Sequence, residues 1–136
     1  MSGEKKIIVW VGALLQNKEG KFLFLKRHKD EAWGGMWQLP GGKMEWGELP
    51  IDTLNRELKE EISVTKLQGE PELLGTHTSF IKIHGIDYHA LQLIYKANLD
   101  SDNIRISEEH DDFIWMSIDD AKETPLAAEI NLFLKR

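Results

Sequence analysis

The sequence predicts an α/β fold, a sandwich in which a mixed sheet lies between helices. The β-rich and helical stretches follow one another in the order ββ, α, βββ, α, which allows both parallel and antiparallel strand pairing. A chain of 136 residues is too short to divide into two parts with good cores of their own. Since it also has no internal repeat and no long linker, we expect residues 1–136 to form a single domain.

The amino-terminal part is predicted to begin with a hairpin. Residues 6–15 form an apolar run typical of a buried strand, and residues 22–26 form a second β-rich run. Lys18-Glu19-Gly20 supplies the tight turn between them. The following segment, residues 28–40, is irregular and rich in tryptophan and glycine, which predicts a loop whose aromatic groups could line a pocket.

A single amphipathic helix is predicted over residues 50–62. Its apolar residues recur at spacings of three, four and four, which places them on one helical stripe. Pro50 suits the first turn of a helix because it lacks a backbone N–H to donate. We expect this helix to pack its apolar stripe on the sheet, and the stripe consists of Ile51, Leu54, Leu58 and Ile62.

The rest of the chain is mostly β-rich and ends in helical patterns. Two long runs flank the turn His84-Gly85, and a shorter run follows them. The predicted strands are 72–83, 87–99 and 112–116, and the predicted helices are 117–122 and 124–135.

The composition restricts the class of protein. The hydrophobic share of 41% and the charged share of 29% are ordinary for a globular domain. The chain has no apolar run near the roughly 20 residues of a membrane span, so we expect no membrane protein. Its polar amino terminus does not resemble a signal peptide, and we therefore expect a cytoplasmic protein.

The chain contains no cysteine, which leaves carboxylates and histidines as its available metal ligands. Its net charge of -6 argues against a protein that coats a nucleic acid polymer. An acidic enzyme that handles a polyanion would need a divalent cation.

Three glutamates on the predicted helix are candidates for metal binding. Glu57, Glu60 and Glu61 stand at i, i+3 and i+4, so their side chains share one face. Taken alone, such a face is more often solvated, and Arg56 could pair with Glu60. However, Glu57 and Glu61 repel each other unless a cation, commonly Mg²⁺ or Mn²⁺, lies between them.

A glycine-rich segment precedes this helix. In residues 39–43 a proline is followed by two glycines, which let the backbone approach an ion or a phosphate closely. By itself Pro40-Gly41-Gly42 would indicate only a turn or loop.

Together, the glycine segment and the helix match one extended motif over residues 42–64. Its fixed positions are occupied by Gly42, Glu48, Arg56, Glu57, Glu60 and Glu61. This pattern resembles the Nudix box, and the Trp-Gln-Leu-Pro-Gly-Gly approach and an acidic residue before Trp115 are similar to those of MutT-like Nudix hydrolases. The resemblance implies the Nudix α/β/α sandwich. Ser63 replaces the second glycine of the motif, where we expect a local backbone adjustment with activity retained.

The resemblance also implies a set of site residues. A Glu48–Arg56 pair would orient the segment and the helix, and either Glu57 or Glu60 would be the base. Glu109 is a further candidate ligand, with an exposed loop charge as the equal alternative. The implied metal ligands are the Gly42 carbonyl, Glu57, Glu60, Glu61 and Glu109.

Substrate contacts are expected from basic and aromatic side chains. Lys26-Arg27 resembles a basic pair that contacts phosphates in MutT-like enzymes, and Lys43 is another candidate, with solvated surface charges as the alternative reading. Aromatic side chains would stack on a base, although each is more often part of a core. The aromatic candidates are Trp33, Trp37, Phe80 and Tyr88. None of the histidines has a recognised ligand spacing.

The resemblance implies Mg²⁺-dependent (or Mn²⁺-dependent) hydrolysis of a nucleoside triphosphate, NTP or dNTP, to a monophosphate and pyrophosphate. The alternatives are hydrolysis of ADP-ribose or a nucleotide sugar, and a non-catalytic nucleotide-binding regulatory module. Ala128 stands where MutT has an asparagine that reads oxidised guanine, which argues against a strict 8-oxo-dGTP hydrolase. We expect a small nucleotide substrate and a monomer or homodimer, while base and sugar preference remain open.

Overall fold

The computed structural model describes residues 3–28 and 36–124. Trp33, Ala128 and, apart from Thr124, the predicted helix 124–135 lie outside these residues. No helix within the described ranges is long and apolar enough to cross a membrane. The elements are β1 (Lys5–Gln16), β2 (Phe22–Arg27), β3 (Trp37–Gln38), β4 (Gly41–Lys43), α1 (Pro50–Ile62), β5 (Gln68–Ile83), β6 (Ile86–Asn98), β7 (His110–Met116) and α2 (Ile118–Lys122).

Within residues 3–28 and 36–124, seven strands form one mixed sheet, as predicted. β1 pairs in parallel with β6 along its whole length, from Lys5 opposite Asp87 to Gln16 opposite Asn98. β5 then pairs antiparallel with β6. On its other side β1 pairs antiparallel with β4, whereas β2 pairs antiparallel with both β3 and β7.

The predicted hairpin is correct in its turn but not along its strands. Asn17 organises the turn, because its side-chain oxygen accepts hydrogen bonds from the backbone N–H groups of Glu19 and Lys21 at 3.0 and 2.9 Å. β1 and β2 pair only at Gln16 opposite Phe22. Beyond that point the two strands separate, since β1 takes β4 as its partner and β2 takes β7.

Two segments predicted as loops contain short strands. The predicted loop 28–40 includes β3, whose Trp37 and Gln38 pair with β2. The predicted glycine loop is β4, whose residues pair with residues 10–12 of β1. The loop predictions are wrong only at Trp37–Gln38 and Gly41–Lys43, because these strands are two and three residues long and form through pairing with other strands.

The sheet carries a separate apolar core on each face, which confirms the sandwich. Successive side chains of β1 and β2 point to opposite faces, as in any strand. On one face α1 covers the sheet, and the buried residues are Val11, Ala13, Leu15, Leu23, Leu25, Leu54, Leu58, Ile62, Tyr95, Ala97 and Leu99. On the other face α2 contributes Ala121, and the other buried residues are Leu14, Phe22, Phe24, Leu39, Ile94 and Met116.

Helix α1 has the predicted bounds and well-defined ends. At its start the Leu49 N–H donates to the Asp52 carboxylate at 3.0 Å. It ends at Ser63, whose φ of 59° is in the left-handed region that favours glycine. Ser63 thus takes the left-handed backbone conformation that suits the glycine of the motif.

Candidate active site

A cleft of about 490 Å³ opens where β1 and β2 no longer pair with each other. Side chains from both halves of the divided sheet reach it, together with one face of α1. Its lining residues are Trp10, Arg27, Gln38, Gly41, Gly42, Lys43, Glu57, Glu60, Glu61, Glu109 and His110.

The two glycines of β4 allow close packing at the base of this cleft. A Cβ at Gly42 would lie 2.2 Å from the carboxyl carbon of Glu57. A Cβ at Gly41 would lie 2.2 Å from the carbonyl oxygen of Val11. Only glycine therefore lets β4 fit between α1 and β1 at these positions.

Arg56 connects the helix to the segment before it. Its Nε and Nη2 donate to the two Glu48 oxygens at 2.7 and 3.0 Å, a bidentate pair. Its Nη2 also donates to the Lys43 carbonyl at 3.0 Å, and its Nη1 donates to Glu57 Oε1 at 2.7 Å. The hydrogen bonds from Arg56 lower the pKa of Glu48 to about 2, so Glu48 stays ionised throughout the physiological pH range.

Glu57 and Glu60 present their carboxylates differently. The Glu57 side chain is 14% exposed, and burial raises its pKa although the contact with Arg56 opposes this. The Glu60 side chain is 59% exposed and contacts Arg56 Nη1 at 3.4 Å. Glu60 is therefore the more accessible of the two to solvent water.

Glu61 is the most deeply buried carboxylate of the cleft, with 3% of the residue exposed. Its Oε1 accepts a hydrogen bond from the Gly41 N–H at 2.7 Å. Burial is the main cause that raises its pKa to about 9, and repulsion by Glu57, Glu109 and Glu60 adds to this effect. A carboxylate in such surroundings needs a proton or a cation as its partner, and the oxygen donors fit a hard divalent ion.

His110 and Gln38, which no sequence pattern assigned to the site, line the same cleft as Glu61. His110 begins β7, and its Nε2 lies 3.7 Å from Glu61 Oε2. Gln38 Nε2 donates to His110 Nε2 at 2.7 Å, while Gln38 Oε1 accepts from Arg27 Nη1 at 3.1 Å. The position of His110 next to Glu109 was the available signal in the sequence.

The structure brings some of the expected substrate contacts to the cleft and places others elsewhere. Arg27 and Lys43 line the cleft, whereas Lys26 lies with its Nζ 5.8 Å from the centre of the Trp37 ring. Trp37 packs against the core on the α2 side. Among the tryptophans, tyrosines and phenylalanines that the structure describes, Trp10 lines the cleft, and no sequence pattern indicated this position.

Phe80 lies in a different place from the cleft. Its ring is 4.5 Å from that of His89, and the residue is 77% exposed. With Tyr88 and His89 it lines a separate hollow formed by the start of β1, the end of β5 and the start of β6. The structure therefore does not bring Phe80 or Tyr88 to the carboxylates.

Comparison with known proteins identifies the family. The profile of the NUDIX domain matches residues 7–136. The CTP pyrophosphohydrolase of Escherichia coli K12 is 30% identical over 122 residues, which cover 90% of this chain and 84% of that protein. The 8-oxo-dGTP diphosphatase of Haemophilus influenzae is 34% identical over 67 residues, 49% of each chain.

A solved structure shares the whole fold. The MutT protein from Methanosarcina mazei superposes with a TM-score of 0.84 at 27% identity, covering 99% of this chain and 95% of that one. The MutT Nudix hydrolase from Burkholderia pseudomallei superposes with a TM-score of 0.80 at 29% identity, covering 95% and 96%. The chain therefore belongs to the Nudix family and is a MutT-like Nudix pyrophosphohydrolase.

Proposed function

We propose that this enzyme hydrolyses a nucleoside triphosphate, NTP or dNTP, to a nucleoside monophosphate and pyrophosphate with the help of Mg²⁺ or Mn²⁺. The observation that carries the proposal is one cleft with carboxylates of α1 and Glu109 facing the basic residues Arg27 and Lys43. A triphosphate chain needs cations that neutralise its charge and hydrogen-bond donors for its oxygens. The carboxylates of this cleft are ligands for such cations, and its basic side chains are such donors. The similarity to a CTP pyrophosphohydrolase supports the same substrate class.

The metal ligands would be the Gly42 carbonyl, Glu57, Glu60, Glu61 and Glu109. Bound Mg²⁺ supplies charge neutralisation at the phosphates and lowers the pKa of the attacking water. Arg56 orients Glu57 and holds Glu48 through its hydrogen bonds, so Arg56 and Glu48 would act as positioning residues for the helix.

We assign the role of general base to Glu60. Its carboxylate is the more exposed one, so a water molecule can reach it, whereas Glu57 Oε1 is held by Arg56 at 2.7 Å. A general base must lie within hydrogen-bonding reach of the water whose proton it accepts. The proton passes from the water to the Glu60 carboxylate as the new P–O bond forms and the bond to pyrophosphate breaks.

Arg27 and Lys43 are the proposed phosphate contacts. Arg27 is suited to two parallel hydrogen bonds with phosphate oxygens, and Gln38 orients it through the 3.1 Å contact. Trp10 is the proposed aromatic wall of the nucleotide site, since a π-face accepts any base.

Product analysis tests the proposal. The enzyme is incubated with Mg²⁺ and a panel of NTPs, dNTPs, 8-oxo-dGTP, ADP-ribose and nucleotide sugars, and products are separated by ion-exchange chromatography. We expect monophosphate and pyrophosphate from one or more triphosphates, strongly reduced in Glu60→Gln and Glu61→Gln and unchanged in the exposed control Glu70→Gln. If only ADP-ribose or a nucleotide sugar is cleaved, that compound and not a triphosphate is the substrate. Nucleotide binding without turnover would indicate a regulatory module.

A further inference from the structure

His28 follows the last residue of β2 and connects this strand to the segment that leads into β7. Its Nδ1 is hydrogen-bonded to the Asp111 carboxylate, and its Nε2 lies 2.6 Å from the Glu108 carbonyl oxygen. The side chains of His28 and Asp111 are 33% and 44% exposed. One imidazole ring therefore holds the chain on both sides of Glu109, which lines the cleft.

Both partners of the His28 ring are acceptors. A backbone carbonyl oxygen and an ionised carboxylate can only accept, so each ring nitrogen must donate. An imidazole that donates from both nitrogens is an imidazolium. Hydrogen bonds from an ionised donor are stronger than those from a neutral one. The two contacts of His28 are therefore of the charge-assisted kind.

The segment that this ring holds contains a β-bulge. β2 and β7 pair Lys26 with Asp112 and Arg27 with His110, so Asp111 is the extra residue on β7. A bulge disrupts the ladder of backbone hydrogen bonds locally. The imidazole contact with Asp111 thus fixes the strand at the residue that the ladder does not fix.

The other end of the same segment is attached to α1. The Ser107 N–H donates to the Glu61 carbonyl oxygen at 2.8 Å, and Ser107 Oγ accepts from the Glu109 N–H at 3.3 Å. Ser107 and His28 together hold Glu109 between α1 and β2. In this position one carboxylate oxygen of Glu109 lies within 4.8 Å of one of Glu61. Two carboxylates at this separation can share one divalent cation.

We propose that His28 is a positioning residue that fixes Glu109 as a metal ligand by holding the residues on both sides of it. The inference rests on the proposed metal-dependent function and names a residue on which one of its ligands depends. His28 lies outside the set of residues that line the cleft. Its effect on the metal therefore passes through the segment that it holds.

A double-mutant cycle tests this assignment, with isothermal titration of Mn²⁺ alone as the readout. His28→Phe keeps an aromatic ring of similar size but removes both donors. We expect it to weaken Mn²⁺ binding about tenfold in the wild-type background and less than about twofold in Glu109→Gln, because a positioning residue has no effect once its ligand is gone. A residue that only stabilises the fold would weaken binding by the same factor in both backgrounds. That result, or an unchanged Mn²⁺ affinity in Glu109→Gln, would overturn the proposal.

Asp111→Ala gives a second route that decides even if His28→Phe does not fold. It should reproduce the effect of His28→Phe in both backgrounds. The matched control is Asp112→Ala, because Asp112 is the next acidic residue of β7 but its carboxylate accepts from the Phe113 N–H at 2.8 Å. This control should bind Mn²⁺ as the wild-type protein does, and an equal loss in Asp111→Ala and Asp112→Ala would overturn the proposal.

Triphosphate hydrolysis is measured in parallel, so that the two proposals can fail separately. Wild-type protein that shows the expected cycle but cleaves no triphosphate would reject the proposed function and retain His28 as a positioning residue. Triphosphate cleavage with equal effects of His28→Phe in both backgrounds would reject the role of His28 alone.

Discussion

The carboxyl group of Glu57 lies directly against Gly42, in the space that a Cβ at position 42 would occupy. The added atom would come within 2.2 Å of the carboxyl carbon. Helix α1 and strand β4 are therefore in contact through a glycine at the point where the metal site is proposed.

Gly42→Ala is expected to displace Glu57 from this position. Because Gly42 has no positive φ, the effect is steric and should weaken Mg²⁺ affinity and reduce kcat by about 10- to 100-fold. Isothermal titration with Mg²⁺ and steady-state kinetics measure both quantities. The control is Gly69→Ala, where φ is +76° and no atom lies within 4 Å of the new Cβ. It should lower stability by about 1 kcal/mol and leave metal affinity unchanged. Equal Mg²⁺ affinity in the two variants would contradict the steric argument.

The substitution Arg56→Lys tests the bidentate hydrogen bonds that Arg56 donates to Glu48. A lysine retains the charge but cannot form the bidentate pair and also reach the Lys43 carbonyl and Glu57. We expect a lower Tm and a kcat reduced by about 10- to 100-fold, since the ligands lose their orientation. The same change at the exposed residue Arg105 should alter neither. Wild-type kinetics in Arg56→Lys would show that a positive charge at position 56 is enough to orient the ligands.

The raised pKa of Glu61 predicts how metal-free protein responds to pH. The pKa changes from its ordinary value of 4.5 to about 9 in the fold. Between these values the folded state holds one proton more than the unfolded state, so the free energy of unfolding should fall as pH rises from about 5 to about 9. Thermal unfolding in EDTA measures this slope.

Glu61→Gln should make the fall of the free energy of unfolding with pH shallower. Saturating Mg²⁺ should raise the Tm of the wild-type protein most at high pH. Burial also raises the pKa of Glu57, which leaves a residual slope of the same sign in the variant. An identical slope in both proteins would assign the pH dependence to other groups.

The neighbouring residues Lys26 and Arg27 should differ in their effect on substrate binding. Arg27 lines the cleft, whereas the Lys26 ammonium lies over the Trp37 ring. Loss of a charged hydrogen-bond donor costs about 1.5–3 kcal/mol, so Arg27→Ala should raise KM for the triphosphate at least about tenfold. Lys26→Ala should change KM by less than about threefold. A larger increase in KM for Lys26→Ala than for Arg27→Ala would indicate that the triphosphate binds on the other side of β2.

Much of the candidate site could be predicted because its residues lie close together in the sequence. A helix places residues three and four positions apart on one face, so Glu57, Glu60 and Glu61 had to lie together once residues 50–62 were helical. The two glycines before the helix indicated a close backbone approach, which the packing of Gly42 on Glu57 now explains.

Other parts of the site depend on strands that are far apart in the sequence. The split between β1 and β2, and with it the cleft, arises because each strand has a different partner from the one that a hairpin predicts. Short strands such as β3 have too few residues to show a periodicity of their own.

The sequence by itself determined the helix, its carboxylates, the glycine segment and the family. Only the tertiary structure decided that Arg27 and not Lys26 lines the cleft, that Phe80 lies away from it, and that His110 faces Glu61. The physical reason is that turn and helix geometry follow from neighbouring residues, whereas the register between distant strands decides which side chains meet.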